Sequence, residues 1–232
     1  ATGENVSEFF VFNPENPNSI VSCISQAREN ARTVRDQITV EFWTELNRNY
    51  LFLRSPEATA LWQRSPADFF LEVRNSSLLL QGLADATIMR NEGWLYMQVG
   101  RNIERADKTS RMLDIRQASM PDDTSVRLLN QADALGWSGM LRSCSAWDAY
   151  KALHGSEVQP GYVAEFLLLN EDFPRSARFC VEQITRALRR ISNVREGHFT
   201  NDAERLAGRL LSELQYCDPS EIFEIGMHTY ID

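Results

Sequence analysis

The chain has 232 residues, 43% hydrophobic and 24% charged, with 24 Lys+Arg against 32 Asp+Glu for a formal net charge of −8. That length suits one larger domain or two small ones with a real core, and only 8 Pro and 11 Gly exclude a linker-rich or fibrous chain. No run approaches the ~18 apolar residues of a membrane span, and the acidic balance argues against nucleic-acid or anionic-membrane binding, which begins with attraction to phosphate.

Helical periodicity runs through the whole sequence. Ile20, Ile24, Ala27, Ala31, Val34 and Ile38 alternate steps of four and three, which aligns one face of a helix and cannot be read as a strand. A second helix is expected over about 41–52, burying Phe42, Trp43, Leu46 and Tyr50. Ser65-Pro66-Ala67-Asp68 offers a cap and a Pro at the first helical position, opening a long helix with Phe69, Val73, Ser76, Leu80, Leu83 and Thr87 on one face. Gly93 is read as an interruption, after which Trp94 starts another helix with Tyr96, Val99, Ile103, Ala106, Ser110 and Leu113, ended by Pro121. Residues 128–153 read as helical up to Gly155, and helices over 160–169, 174–191, 201–216 and 219–230 complete the chain. Asp218-Pro219-Ser220-Glu221 has the spacing of a capping box. The fold class is therefore all-α, with the chain read as a single helical domain.

Two further features bear on organisation. Cys23, Cys144, Cys180 and Cys217 have no metal-ligand spacing, so they read as small apolar core residues of a reduced, cytoplasmic protein. The chain opens Ala1-Thr2-Gly3-Glu4 with neither Met nor an apolar leader, which reads as no signal peptide and as an N-terminally incomplete piece. An internal repeat is also visible, relating residues 9–35 to 166–192 at an offset of 157. It lays Phe9-Phe10-Val11-Phe12-Asn13 on Phe166-Leu167-Leu168-Leu169-Asn170, Pro17 on Pro174, Ser19 on Ser176, Cys23 on Cys180, Gln26 on Gln183 and Arg32 on Arg189. The expected architecture is a helical bundle of two related halves. Gly100-Arg101-Asn102-Ile103-Glu104-Arg105-Ala106-Asp107 lies between them without a twin in this chain.

These motifs carry a family resemblance. Ala27-Arg28-Glu29-Asn30-Ala31-Arg32 followed by Arg35-Asp36, then Trp43 with Leu46-Asn47, resembles the bacterial alpha-E domain family. So do Glu92-Gly93-Trp94, Gly100-Arg101 with Glu104-Arg105-Ala106-Asp107, and Glu165-Phe166-Leu167-Leu168-Leu169 with Phe173-Pro174-Arg175-Ser176. The departure is at the start, where the family's N-terminal segment is absent from this sequence. The resemblance implies an all-helical cytoplasmic protein of uncharacterised function, associated with an ATP-grasp-type ligase. A transglutaminase-like peptidase is a second partner that the resemblance implies.

The candidate site residues are charged ones on helices. Only Lys108 and Lys151 are lysines, so 22 of the 24 basic residues are arginines, whose planar forks suit carboxylates and phosphates. Arg28, Glu29, Asn30, Arg32, Arg35 and Asp36 lie away from the first apolar stripe, with Glu29–Arg32 at i,i+3 and Arg32–Asp36 at i,i+4. Arg101, Glu104, Arg105 and Asp107 lie on the Trp94 helix, with Glu104–Lys108 and Asp107–Arg111 at i,i+4. One reading is a salt-bridged surface or helix seam. The other is a cradle in which Arg28, Arg32, Arg101 and Arg105 hold a peptide carboxylate or phosphate, with Glu29 and Glu104 orienting them or serving as acid or base. Arg175-Ser176 at a helix start adds a candidate anion contact, against simple capping. His154, His198 and His228 form no Glu-x-x-His, so no metal is expected, and no cofactor motif is present. The resemblance thus implies a helical accessory or scaffold of an ATP-dependent amide- or peptide-ligation pathway. The alternatives are an enzyme using the Glu/Arg cluster, and an inert structural partner. An exposed apolar seam would make a homodimer.

Overall fold

The computed structural model describes residues 3–118 and 131–231, and among these residues there are thirteen α-helices and no strand. Each start follows local chemistry. Ser19, Thr39, Ser55, Ser65, Ser176 and Asn201 sit in extended conformation and accept a backbone N–H three residues on, satisfying a donor that the first turn leaves orphaned. Pro at the first position pre-sets the helical φ of the segments starting at Pro56, Pro66, Pro160 and Pro219.

The chain divides into two compact units, 1–90 and 91–232. Unit 1 holds α1 (Gly3–Val11), α2 (Ile20–Thr33), α3 (Val40–Leu53), α4 (Pro56–Arg64) and α5 (Pro66–Thr87). Helix α3 packs against both α2 and α5, and α4 against α5. Its buried apolar residues include the cluster of Val11, Leu53, Ala58 and Phe69, with the half-buried Phe12 and Trp62 rings in contact around Phe69 at 5.5–5.7 Å, and also Ala31, Leu46, Ala84 and Ile88.

Unit 2 holds α6 (Glu92–Ala118), α7 (Gln131–Ser143), α8 (Trp147–His154), α9 (Pro160–Leu169), α10 (Ala177–Ser192), α11 (Asp202–Tyr216), α12 (Pro219–Ile225) and α13 (Met227–Ile231). Helix α10 lies against α6 on one side and α11 on another. Helix α9 is apolar apart from Glu165 and is buried from Phe166 through Leu169. Around it Leu113, Trp137, Leu141, Tyr150 and Ile222 are sealed from solvent, as is its own Val163. The Tyr150 hydroxyl escapes an unsatisfied burial by donating to the Glu157 carbonyl at 3.0 Å.

Several expectations need correcting. Helix α2 ends at Thr33, where the Thr33 hydroxyl turns back to the Asn30 carbonyl at 2.7 Å and turns follow through 37. The stripe reaching Ile38 is therefore not one helix, and Arg35 and Asp36 stand beyond it. The break between α5 and α6 falls at 88–91, and Gly93 lies inside the first turn of α6. Asn91 caps that turn by accepting the Trp94 N–H. The run to Gly155 is two helices split at Ser145, whose φ of 54° is left-handed. Gly226, at φ 91°, likewise splits the last segment into α12 and α13, a conformation Gly adopts without penalty. The expected stop at Pro121 lies outside the described residues. Of the cysteines, Cys144 and Cys180 are buried as expected, whereas Cys23 is exposed and Cys217 half-buried.

The two turns aligned at the offset of 157 have closely matched local geometry. Ser19 and Ser176 share φ −69° and ψ 152°. Asn13 Oδ1 accepts the Glu15 N–H at 2.9 Å, and Asn170 Oδ1 the Asp172 N–H at 3.0 Å. Both cap residues donate their N–H to a carbonyl three residues back at 3.0 Å. Both thiols, Cys23 and Cys180, reach the carbonyl of the preceding Pro17 or Pro174 at 3.7 Å.

Candidate functional site

In unit 1 the predicted polar group is a seam between α2 and α3. Arg28 donates from Nε to Asn47 Oδ1 at 2.8 Å and from a terminal nitrogen to Glu29 Oε1 at 2.9 Å. Its guanidinium also covers the rings of Tyr50 at 4.5 Å and Trp43 at 5.6 Å. Arg35 covers Trp43 at 5.6 Å and donates to the Ile38 carbonyl. Glu29 accepts Arg32 Nε at 2.9 Å, and that bond above all holds its carboxyl below the usual glutamate range. Asn30 Oδ1 takes the Gln26 amide at 2.9 Å and Asp36 takes the Gln37 amide at 2.8 Å. The forks of Arg28 and Arg35 are thus closed over α3 aromatics, and Arg32 is closed on its neighbour. Asp36 does not pair with Arg32 as the spacing suggested, because the helix has already ended.

The second predicted group belongs to unit 2. Glu104 is exposed and meets Lys108 at 3.7 Å, and Asp107 accepts Arg111 Nε at 2.8 Å, both as the i,i+4 spacing predicts. Arg101 bonds the Gln98 side chain. Arg105 and Arg175 both act on Cys180, whose burial pushes the thiol up to about 11 while the two positive charges pull it back. The Arg175 carbonyl accepts the Thr109 hydroxyl at 2.9 Å, which fastens α6 to the turn that caps α10. Ser176 is wholly buried as that cap, and its hydroxyl also donates to the Asn170 carbonyl. These contacts assign Arg175-Ser176 to capping and helix docking.

The chain's other Glu-Arg pair, at 204–205, is also tied down. Glu204 is 5% exposed and accepts from the Thr200 backbone at 2.7 Å, the Asn201 amide at 2.8 Å and the Ser192 hydroxyl. It pins the connection between α10 and α11, and those donors hold its carboxyl below the ordinary range.

Among the concave features that were not read from the sequence, two stand out. In unit 2 a polar pocket of about 310 Å³ is lined by His154, Glu165, Glu171, Arg178, Gln215 and Cys217, among others. The His154 ring is stacked between Tyr150 and Tyr162 at 4.8 and 5.1 Å, and Arg178 is closed on Glu171 at 2.5 Å. The aromatic neighbours of His154 at i−4 and i+8 were the available signal. In unit 1 an apolar groove of about 210 Å³ runs between α2, α3 and α5, lined by Asn18, Ile20, Cys23, Ile24, Phe52, Val73, Ser77 and Leu80 with three others. None of the predicted Arg or Glu residues lines either feature. No described helix is long and apolar enough to cross a membrane.

Comparison with known proteins places this arrangement in context. Residues 1–232 match Alpha-E, described as a predicted alpha-helical domain with a conserved ER motif. Uncharacterised proteins of Mycobacterium bovis and of two strains of Mycobacterium tuberculosis are each 21% identical to it over 217 residues. Those alignments cover 92% of this chain and 23% of each relative, so the chain spans about a quarter of the length of the curated relatives it matches. No solved structure matches it. With its helical content, its Glu-Arg pairs and a match over its whole length, the chain belongs to the Alpha-E family.

Proposed function

We propose that this chain is a helical binding module, the accessory or scaffold component of an ATP-dependent amide- or peptide-ligation system whose chemistry is carried out by an ATP-grasp-type ligase in the cytoplasm. The observation that carries the binding role is the open apolar groove of unit 1, where Ile20, Ile24 and Val73 are only half-buried and Cys23 is exposed. Apolar surface left uncovered is surface that a partner gains free energy by burying, at about 25 cal/mol per Å². The far greater length of the mycobacterial relatives is consistent with a module that works beside other parts. The ligase as partner is drawn from the family resemblance, as is a transglutaminase-like peptidase as a second one.

The enzymatic alternative would use Glu29, Glu104 and the neighbouring arginines on a peptide or amino acid. Its weakness is chemical. A carboxyl held low by Arg32 is a poor general base at neutral pH, and Glu104 stands in solvent away from either cavity. Capture of the tagged protein from its native lysate, read by mass spectrometry, tests the proposal. Stoichiometric recovery of an ATP-grasp-type ligase supports it. Recovery of no ligase, together with turnover of a peptide by the protein alone, would replace it with the enzymatic reading.

A further inference from the structure

Unit 1 and unit 2 share a turn, a cap and a helix but differ in what covers them. Cys180 is 0% exposed on α10, whereas Cys23, at the aligned position of α2, is open to solvent. Phe166 and Leu167 are 2% and 0% exposed, whereas the aligned Phe9 and Phe10 are 46% and 53% exposed. In unit 2 the cover over α10 is α6. One bond fixes where it sits: Thr109 donates to the Arg175 carbonyl at 2.9 Å, and many residues of α6 and α10 lie side by side. Counting back 157 positions, Arg175 becomes Asn18 and Cys180 becomes Cys23, and both line the apolar groove of unit 1. The matched cap dihedrals and thiol contacts mean that the backbone frame that receives α6 on α10 is also built around α2.

We infer that the α2–α3–α5 groove of unit 1 is a docking seat for a separate helix with the surface pattern of α6. Such a helix presents a narrow, partly polar stripe rather than a leucine seam: Gln98, Asn102 and Thr109 on α6 are 8%, 2% and 4% exposed, with Leu113 closing the row, and Thr109 bonds the turn that caps α10. Ile20, Ile24 and Val73 supply apolar floor and wall, and the exposed Asn18, Cys23 and Ser77 supply a small or polar rim that lets a backbone approach. The groove has room for side chains of the docked helix, not for its backbone, which lies across the rim. This deepens the binding-module reading and rests on it.

The probe is a synthetic peptide of residues 92–118 added to the intact 232-residue protein. The readout is the alkylation rate at each cysteine, mapped by mass spectrometry. Peptide at about ten times its Kd is expected to slow alkylation of Cys23 about tenfold, leaving half-buried Cys217 as the internal reference. Ser77→Arg, an exposed substitution on the rim, is expected to abolish the protection with helix content unchanged. Three results overturn the inference: Cys23 alkylated at the same rate with and without saturating peptide, equal protection by a scrambled peptide, or new alkylation of Cys180, which would mean exchange with the resident α6. A dimeric mass in which Cys23 is already protected would also overturn it, assigning the groove to a second copy. If the peptide fails while Ser77→Arg still releases a captured ligase, the binding module stands and the α6-type helix falls. If the peptide docks and no ligase is captured, the reverse holds.

Discussion

Leu113→Ala tests whether α6 seals unit 2 as its packing implies. Leu113 is 0% exposed and shares one core with Trp137, Met140, Leu141 and Val181. Truncation removes three carbons from a closed site and leaves a cavity bounded by rigid ring and helix atoms. Leu→Ala changes at such sites cost about 3–4 kcal/mol, from lost transfer energy plus the void. For a unit the size of 91–232, about 3 °C per kcal/mol gives a fall of roughly 10 °C in Tm. Urea unfolding followed by tryptophan fluorescence reads the loss, with Leu113→Met as a volume-conserving control expected to cost less than about 1.5 kcal/mol. A loss below about 1 kcal/mol would mean that the site collapses freely and that α6 does not close this core.

Ser176→Ala and Ser19→Ala each remove a buried cap and are expected to cost about 1 kcal/mol by urea titration. Ser176 is expected to cost more, because its loss also strands the Asn170 carbonyl. Alkylation at pH 8 is expected to label Cys23 first and Cys217 next, with Cys180 far behind because its thiol is pushed up to about 11 and is wholly buried. Early labelling of Cys180 would contradict the packing of α6 on α10. Glu204→Gln should destabilise the protein at neutral pH and lose that effect in acid. Its folded pKa lies below the unfolded value, so the carboxylate's contribution is present above the ordinary glutamate range and vanishes as pH falls through the folded pKa. A pH-independent difference in urea midpoint would refute this. Glu104→Ala, on an exposed side chain, should leave helix content and melting unchanged, by circular dichroism.

What the sequence made legible was local. The Ser-Pro signature announced α5, and the same signature at Ser55-Pro56 announces α4, which the reading passed over because its nine residues carry too short a stripe. Helix α1 was missed for the same reason. The pairs Glu29–Arg32, Glu104–Lys108 and Asp107–Arg111 followed from helical spacing alone. The fate of Arg28 did not, since closing over Trp43 and Tyr50 depends on how α3 lies across α2. The groove was hidden for a deeper reason. Ile20, Cys23 and Ile24 have the same pattern as Ala177, Cys180 and Val181, and periodicity states which face is apolar without stating whether anything covers it.

The most direct measurement of the central claim is a binding titration of the purified ATP-grasp-type ligase against the wild-type chain and the Cys23→Arg/Ser77→Arg double variant, by isothermal calorimetry. Both substituted positions are exposed on the groove rim, so the variant keeps its fold and places two charged side chains over the apolar floor. The account predicts saturable binding by the wild type and a loss of at least about tenfold in affinity for the variant, about 1.4 kcal/mol. Equal affinity of the two, with both melting alike, would contradict it and move the contact away from α2.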